Sequence, residues 1–250
     1  MVPGMSDSPS AQSGAPSPAA DFSALLPDRV INAVEEALGA PCTNLCRPLN
    51  SYINRVYEVG LEGGGFVIAK FYRPNRWSRE ALQDELDFLQ ELEADEVPVV
   101  APLADPDGVR LHALGGLWFA LFPKKGGRPL EEPDAAGWRQ LGRLIARLHA
   151  VGARRVPRDR IRLHPRQSTL GHLRYILESG TVDERHRAGY ERAVLELIEL
   201  IDPLFADAAA LRLHADCHCG NILHRPDEGY HLLDFDDMAV GPAVQDLWLI

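Results

Sequence analysis

Lysine is nearly missing. Of the 26 basic residues in the 250-residue chain, only Lys70, Lys124 and Lys125 are lysines. A chain that otherwise uses arginine keeps lysine where a compact ammonium is wanted. Cysteine is scarce too. Four in a chain this long do not make a disulfide framework, which points to a reducing, cytoplasmic setting. No apolar run approaches the roughly 18 residues of a membrane span, so no membrane partner is expected. Positive charge is in deficit, and a net charge of −10 argues against a general nucleic-acid binder. Present instead is 46% hydrophobic residue, enough to bury a sizeable core and to exclude wholesale disorder.

Residues 1–20 are rich in Ser, Pro, Ala and Gly, with Asp7 their only charge. They lack the basic start and apolar run of a signal peptide and read as a disordered tail. A first helix fits Asp28 to Leu38, with Asp28 as its cap and Gly39 as its stop. Strands follow at Thr43–Pro48, Arg55–Leu61 and Phe66–Tyr72, then a helix from Ser78 to about Ala94. Further strands are expected near Val97–Leu103, Val109–Leu114 and Leu117–Phe122. From Pro133 the pattern turns helical, with Trp138, Leu141, Leu144, Ile145 and Leu148 on one face. An arginine-rich stretch, 153–167, reads as a solvated connection rather than a phosphate patch. Two helices, Ser168–Glu178 and Asp183–Leu204, and a strand at Leu211–Leu213 complete the pattern. The expected organisation is a tail at 1–20, a sheet-rich lobe at 21–122 with one inserted helix, and a mainly helical lobe at 123–250.

The densest polar segment is LRLHADCHCGNILHRPDEGYHLLDFDD, residues 211–237. His214, Asp216 and Asn221 form His-x-Asp-x-x-x-x-Asn, and Asp234 follows across an apparent hairpin. Pairing His224 with His231 sets Asn221 opposite Asp234, on one face. An amide oxygen and a carboxylate there suit magnesium, which keeps waters and needs few protein ligands. Asp216 is close enough in sequence to meet an acceptor hydroxyl beside the metal, as in a kinase catalytic loop. A zinc reading of His214, Cys217, His218, Cys219 and His224 is weaker, because two thiols two residues apart face opposite ways in an extended segment. Small thiols packing a tight loop are the plainer reading.

Lys70 lies in the apolar strand FVIAKFY, where an ammonium is costly unless paired. In the next helix Glu85 falls inside the stripe of Leu82, Leu86 and Leu89, so Lys70 and Glu85 are expected to pair.

With those residues in place, NSYINRVYEV, FVIAKFYRPNRWS, WFALFPKKGGRPL, LGRLIARLHAVG and LHADCHCGNIL resemble the aminoglycoside-phosphotransferase and choline-kinase superfamily. DFDDMAVGPAVQDLW is more similar to the bacterial stress-response kinases within it than to the antibiotic kinases. The resemblance implies an α+β fold: a two-lobed, protein-kinase-like molecule with an N-terminal antiparallel sheet and a mainly helical C-terminal lobe. It implies ATP as co-substrate and Mg2+ as cofactor. It makes Asp216 the proton acceptor and Asn221 and Asp234 the magnesium ligands, Asp234 also being catalytic. It sets Ser51 and Lys70, with Glu85, toward the ATP phosphates, and Phe122 to Lys124 as the hinge beside adenine. Asp246 resembles an acid that accepts backbone hydrogen bonds from the catalytic loop, and Asp236 and Asp237 have no settled role.

The phosphate turn has no glycine, so Asn50, Ser51 and Asn54 would supply its donors. The family continues with further helices beyond a helix expected after Pro242, so the C-terminal lobe reads as cut short. The leading expectation is a Ser/Thr protein kinase, monomeric, autophosphorylating and linked to stress. The alternatives are a small-molecule kinase for an aminoglycoside, amino alcohol or homoserine, and a nucleotide-binding pseudokinase. Against the last, Lys70, Asp216, Asn221 and Asp234 are all present.

Overall fold

The computed structural model describes residues 21–250, so the tail expected at 1–20 lies outside the described residues. The chain divides into two compact units. One holds the described residues through Arg79 together with Ala104–Leu121, and the other holds Glu80–Leu103 and Phe122–Ile250.

The first unit opens with α1, Pro27–Leu38. Its N-cap is Leu26, and Pro27 takes the first turn, where no backbone N–H is needed. Asp28 therefore sits inside the first turn rather than capping it. Gly39 ends the helix at φ 63°, its N–H reaching Glu35 O at 2.8 Å. Strands β1 (Cys42–Leu49), β2 (Arg55–Leu61), β3 (Phe66–Phe71), β4 (His112–Leu114) and β5 (Leu117–Pro123) form one sheet in the order β1-β2-β3-β5-β4. Its buried face stacks Phe71 on Phe119, ring centroids 4.9 Å apart.

Two expected strands shrink. Val97–Leu103 makes only a single parallel bridge, Val99 to Leu232, because Pro98 and Pro102 have no N–H to give a ladder. The segment docks all the same, through Val100 N to Leu232 O (3.0 Å) and Leu232 N to Pro98 O (2.9 Å). The strand expected from Val109 starts only at His112. The Asp105 carboxylate captures the N–H groups of Asp107 and Val109 in a local turn.

In the second unit α2 (Arg79–Ala94) buries Leu82, Glu85, Leu86, Leu89 and Leu92. The helix α3 (Ala135–Gly152) is capped by Asp134, which accepts from Gly137 N at 2.7 Å. Its buried face is Leu141, Leu144, Ile145, Leu148 and Val151, while Trp138, expected on that face, is exposed. These faces share one core with Val99, Ile222, Leu232 and Phe235. The hairpin β8 (Ile222–Arg225) and β9 (Gly229–Leu232) is joined by β6 (Arg128–Pro129), and β7 (Ala210–Leu213) pairs antiparallel with β10 (Ala239–Pro242).

A π-type turn at Pro165–Thr169 precedes α4 (Leu170–Glu178), so that helix starts later than expected. The next helix, α5, runs from Glu184 to Ile201 and tightens into a 3-10 turn at Asp202–Phe205, where Pro203 breaks the α ladder. After Pro242 the chain makes a 3-10 turn, Ala243–Asp246, and not the expected α-helix. No described helix is long and apolar enough to cross a membrane.

The arginine-rich connection is solvated at Arg154, Arg155, Arg158, Arg162 and Arg166, as expected, and is held by ion pairs as well. Arg155 pairs with Glu91 at 2.6 Å, Arg154 with Asp95, and Arg160 is buried. Asp87 and Glu91 of α2, four residues apart on one face, and Asp95 just past its end supply partners. Gly152, the last residue of α3, lies so close to β7 that a Cβ would fall 2.2 Å from the Arg212 carbonyl oxygen. A Gly152→Ala variant is therefore expected to lose about 1–3 kcal/mol or more of stability, read by urea unfolding.

Candidate active site

Strand β7 delivers the chain into the loop His214–Gly220. Two residues at this site adopt the left-handed region without being glycine: Ala215 at φ 67° and Asp234 at φ 60°. Such conformations persist only where surrounding bonds hold them. For Ala215 the holder is Asp246, which is fully buried. Its Oδ1 accepts from Ala215 N at 2.7 Å and its Oδ2 from His214 N at 3.1 Å. The acid expected to take backbone bonds from the catalytic loop does so.

Asp246 also pairs with His149 Nε2 at 2.9 Å. The sequence reading missed this partner. The available signal was a histidine directly after the buried Leu148 of α3, where a titratable side chain is carried to the edge of the core.

Asp216 and Asn221 meet. Asn221 Nδ2 donates to Asp216 O at 2.9 Å and to Asp216 Oδ2 at 3.2 Å. A 3-10 turn at Cys219–Asn221 brings the amide back toward the acid. His218 stands on the same carboxylate, its Nε2 3.6 Å from Oδ2, while its Nδ1 accepts from Gly220 N at 2.9 Å. Asn221 is buried, whereas the Asp216 side chain is 40% exposed.

The hairpin register corrects the expected one by a residue. His224 pairs with Tyr230 and Leu223 with His231. The cause is the turn. Glu228 N bonds Arg225 O, and Gly229 at φ 85° closes directly on Arg225 with a three-residue loop. Asn221 then lies against Leu233, whose N–H reaches Asn221 O at 3.1 Å, and not against Asp234. A slip of one residue changes faces. Asp234 stands just beyond β9, exposed, and its left-handed backbone rather than strand pairing sets its direction.

The donor chemistry fits magnesium. With its Nδ2 donating to Asp216, the Asn221 amide keeps its oxygen as an acceptor, and Asp234 adds a carboxylate one residue past Leu233. Hard oxygens, few in number, are what magnesium takes from a protein. Zinc fits less well. Cys217 is buried, its thiol pushed up to about 12 chiefly by burial, whereas Cys219 is exposed. The His214 ring is engaged by Leu233 O at 2.9 Å. Among the described residues no three His, Cys, Asp or Glu side chains are grouped as a metal ion would require.

Burial also holds the His214 imidazole below its usual 6.5, against the upward pulls of its hydrogen bond to Leu233 and of Asp246. The unfolded chain therefore takes up this proton first as the pH falls. The stability that neutral His214 contributes is present above about pH 6.5 and is lost below it, toward the depressed folded value. Thermal unfolding followed from about pH 7 to pH 5 should show a falling midpoint, and His214→Gln should flatten that fall.

In the first unit Lys70 is buried, pairs across the sheet with Val56, and holds its Nζ 5.1 Å from the Tyr72 ring centroid. Ser51 lies half-buried in the turn between β1 and β2. Asn54 in that turn uses its carboxamide oxygen to accept from Arg73 N at 3.0 Å, tying the turn to the end of β3. Phe122 lies near the end of β5 and packs on the core of the second unit, with exposed Lys124 two residues on. Glu85 is fully buried in α2, as expected, and carries a partner the sequence reading did not foresee: Arg160, at 2.9 Å.

In the second unit an acid and an amide join in a loop, with a second acid past the hairpin, and in the first a buried lysine stands on an antiparallel sheet. The model of the phosphotransferase enzyme family matches residues 45–250, and the chain belongs to that family. Stress response kinase A of Escherichia coli (strain K12) is 37% identical over 237 residues, covering 92% of this chain and 69% of the relative. Serine/threonine protein kinase RdoA of Salmonella typhimurium is 36% identical over 230 residues, with the same coverage. Among solved structures, an amicoumacin kinase in complex with AMP-PNP, Ca2+ and Ami matches at a TM-score of 0.74 and 20% identity, covering 91% of this chain and 69% of that one. That likeness is one of fold, the α+β kinase-like fold expected from the sequence. The chain is an ATP-dependent kinase.

Proposed function

We propose that the chain is a Ser/Thr protein kinase that transfers the γ-phosphoryl group of ATP, with magnesium, to a protein hydroxyl. The observation that carries the chemistry is the Asp216–Asn221 contact. Asn221 donates to Oδ2 of Asp216, which leaves Oδ1 to face an acceptor hydroxyl and take its proton as the oxygen attacks phosphorus. Asn221 and Asp234 would hold magnesium, which when bound neutralises charge on the transferred group. Lys70, supported by Glu85, and the donors of the Ser51 turn bind the ATP phosphates in this reading. Phe122 to Lys124 border adenine.

The protein acceptor is supported by the relatives, one of which is named a serine/threonine protein kinase and others stress response kinases. By the same support we propose that the kinase acts in a stress response; that it phosphorylates itself and works as a cytoplasmic monomer is proposed from the sequence reading alone. The test is ADP release in the presence of magnesium with three kinds of acceptor: a generic protein, the kinase alone, and a panel of amino alcohols, homoserine and aminoglycosides. The proposal expects turnover with the first two. Turnover confined to a small molecule sinks it.

A further inference from the structure

Arg160 has a buried guanidinium that nothing in the proposed phosphoryl transfer uses. Its side chain is fully inaccessible, and so is that of its partner Glu85. Burying a charge in this way is costly unless every donor is met. Arg160 meets them on two different stretches of chain. Toward α2, Nε donates to Ala81 O at 2.8 Å and Nη2 to Glu85 Oε2 at 2.9 Å. Toward the segment after Asp234, Nη1 donates to Asp236 O at 2.7 Å and more weakly to Met238 O at 3.4 Å. A planar fork bridges these four partners at fixed angles in a way a lysine ammonium does not.

The segment it grips follows directly on Asp234. On the near side, Leu233 is fixed by Asn221 O and by the His214 ring. On the far side, Asp236 is fixed by Arg160. Between these anchors Asp234 sits exposed and left-handed, a conformation that is not self-sustaining for a residue with a side chain.

We infer that Arg160 is a positioning residue: it clamps the backbone beyond Asp234 to α2, and so sets the direction in which the Asp234 carboxylate meets a divalent cation. The inference rests on the reading of Asp234 as a magnesium ligand. It also gives Glu85 a second task, that of orienting Arg160. Groups that orient a ligand without touching the metal change metal affinity by about 10–100-fold when removed.

A purely structural Arg160 would serve only to neutralise Glu85, and removing both charges would then leave the magnesium-dependent gain at its wild-type value, whatever it did to metal-free binding through Lys70. The experiment uses that difference. AMP-PNP is titrated calorimetrically with and without magnesium into the wild type, Arg160→Lys, the double variant Arg160→Met/Glu85→Met, and Asp234→Asn. Thermal unfolding of each is recorded alongside. The double variant removes both charges of the Arg160–Glu85 pair together and is expected to unfold cooperatively, so that its binding is read on a folded protein. Its magnesium-dependent gain in AMP-PNP affinity, taken as the ratio of affinities with and without magnesium so that any lost support of Lys70 by Glu85 cancels, should shrink about tenfold or more. Arg160→Lys should lose part of the gain, because it keeps the charge but not the fork.

A double variant with the full wild-type gain, while Asp234→Asn has lost its own, overturns the clamp and leaves the metal reading standing. A wild type with no gain, indistinguishable from Asp234→Asn, overturns the metal reading and the clamp with it.

Discussion

An Asp216→Asn variant should bind ATP almost as the wild type does and turn over about two to four orders of magnitude more slowly, the range that general base catalysis supplies. The substitution removes the proton acceptor and little else. The change is isosteric, the side chain is 40% exposed, and the loop around it is held by other groups. Asp246 fixes the amides of His214 and Ala215, and the 3-10 turn at Cys219–Asn221 is closed by the backbone. An asparagine can still receive the Asn221 Nδ2 hydrogen bond on its carbonyl oxygen. Steady-state turnover, with ATP affinity measured separately, checks this. Equal losses in affinity and turnover would mean that the loop had rearranged. Unchanged turnover would assign the base to another residue.

Replacing Asp234 by Asn is expected to abolish the mutual enhancement of magnesium and ATP binding. Asn221 and Asp234 together bring one formal negative charge. Magnesium gives up its water reluctantly and completes its octahedron with phosphate oxygens, so the metal should bind the free protein weakly. Coupling of this kind is reciprocal and commonly about 5–150-fold. In the variant the only charged donor is gone, and ATP should bind with the same weak affinity whether or not magnesium is present. Calorimetric titration of ATP at saturating and zero magnesium measures the coupling directly. An equal magnesium effect in both proteins would place the metal elsewhere.

Much of the molecule was legible in the chain. Strand β2 was read to its last residue. Gly39 and Ser78 marked helix boundaries, and the apolar period of α2 put Glu85 in the core, where it is. The resemblance located the loop from His214 to Asn221, and the contact between Asp216 and Asn221 follows from their five-residue spacing once the 3-10 turn forms.

What was not legible depended on single backbone angles and on distant partners. The hairpin register turned on whether Gly229 belongs to the loop or to the strand. Pro226, Asp227, Glu228 and Gly229 all read as turn residues, and the choice between three and four loop residues shifts every cross-strand pair. Asp234 broke the alternation with a positive φ that a carboxylate side chain does not announce. Arg160 looked like one of many arginines in a polar connection. Only the folded chain brings the carbonyls of Ala81 and Asp236 to its guanidinium. His149 showed no task in the sequence, because its partner Asp246 lies 97 residues away.

In the proposed reaction the loop from His214 to Asn221 moves phosphate from ATP to a protein hydroxyl. The most direct test is to follow the label of γ-labelled ATP, with magnesium, to the atom that receives it, by mass spectrometry of the kinase and of an added protein acceptor. Phosphoserine or phosphothreonine is expected on both proteins in the wild-type reaction, and none above background with Asp216→Asn. Label found only in a small molecule, or found on protein equally in both reactions, would contradict it.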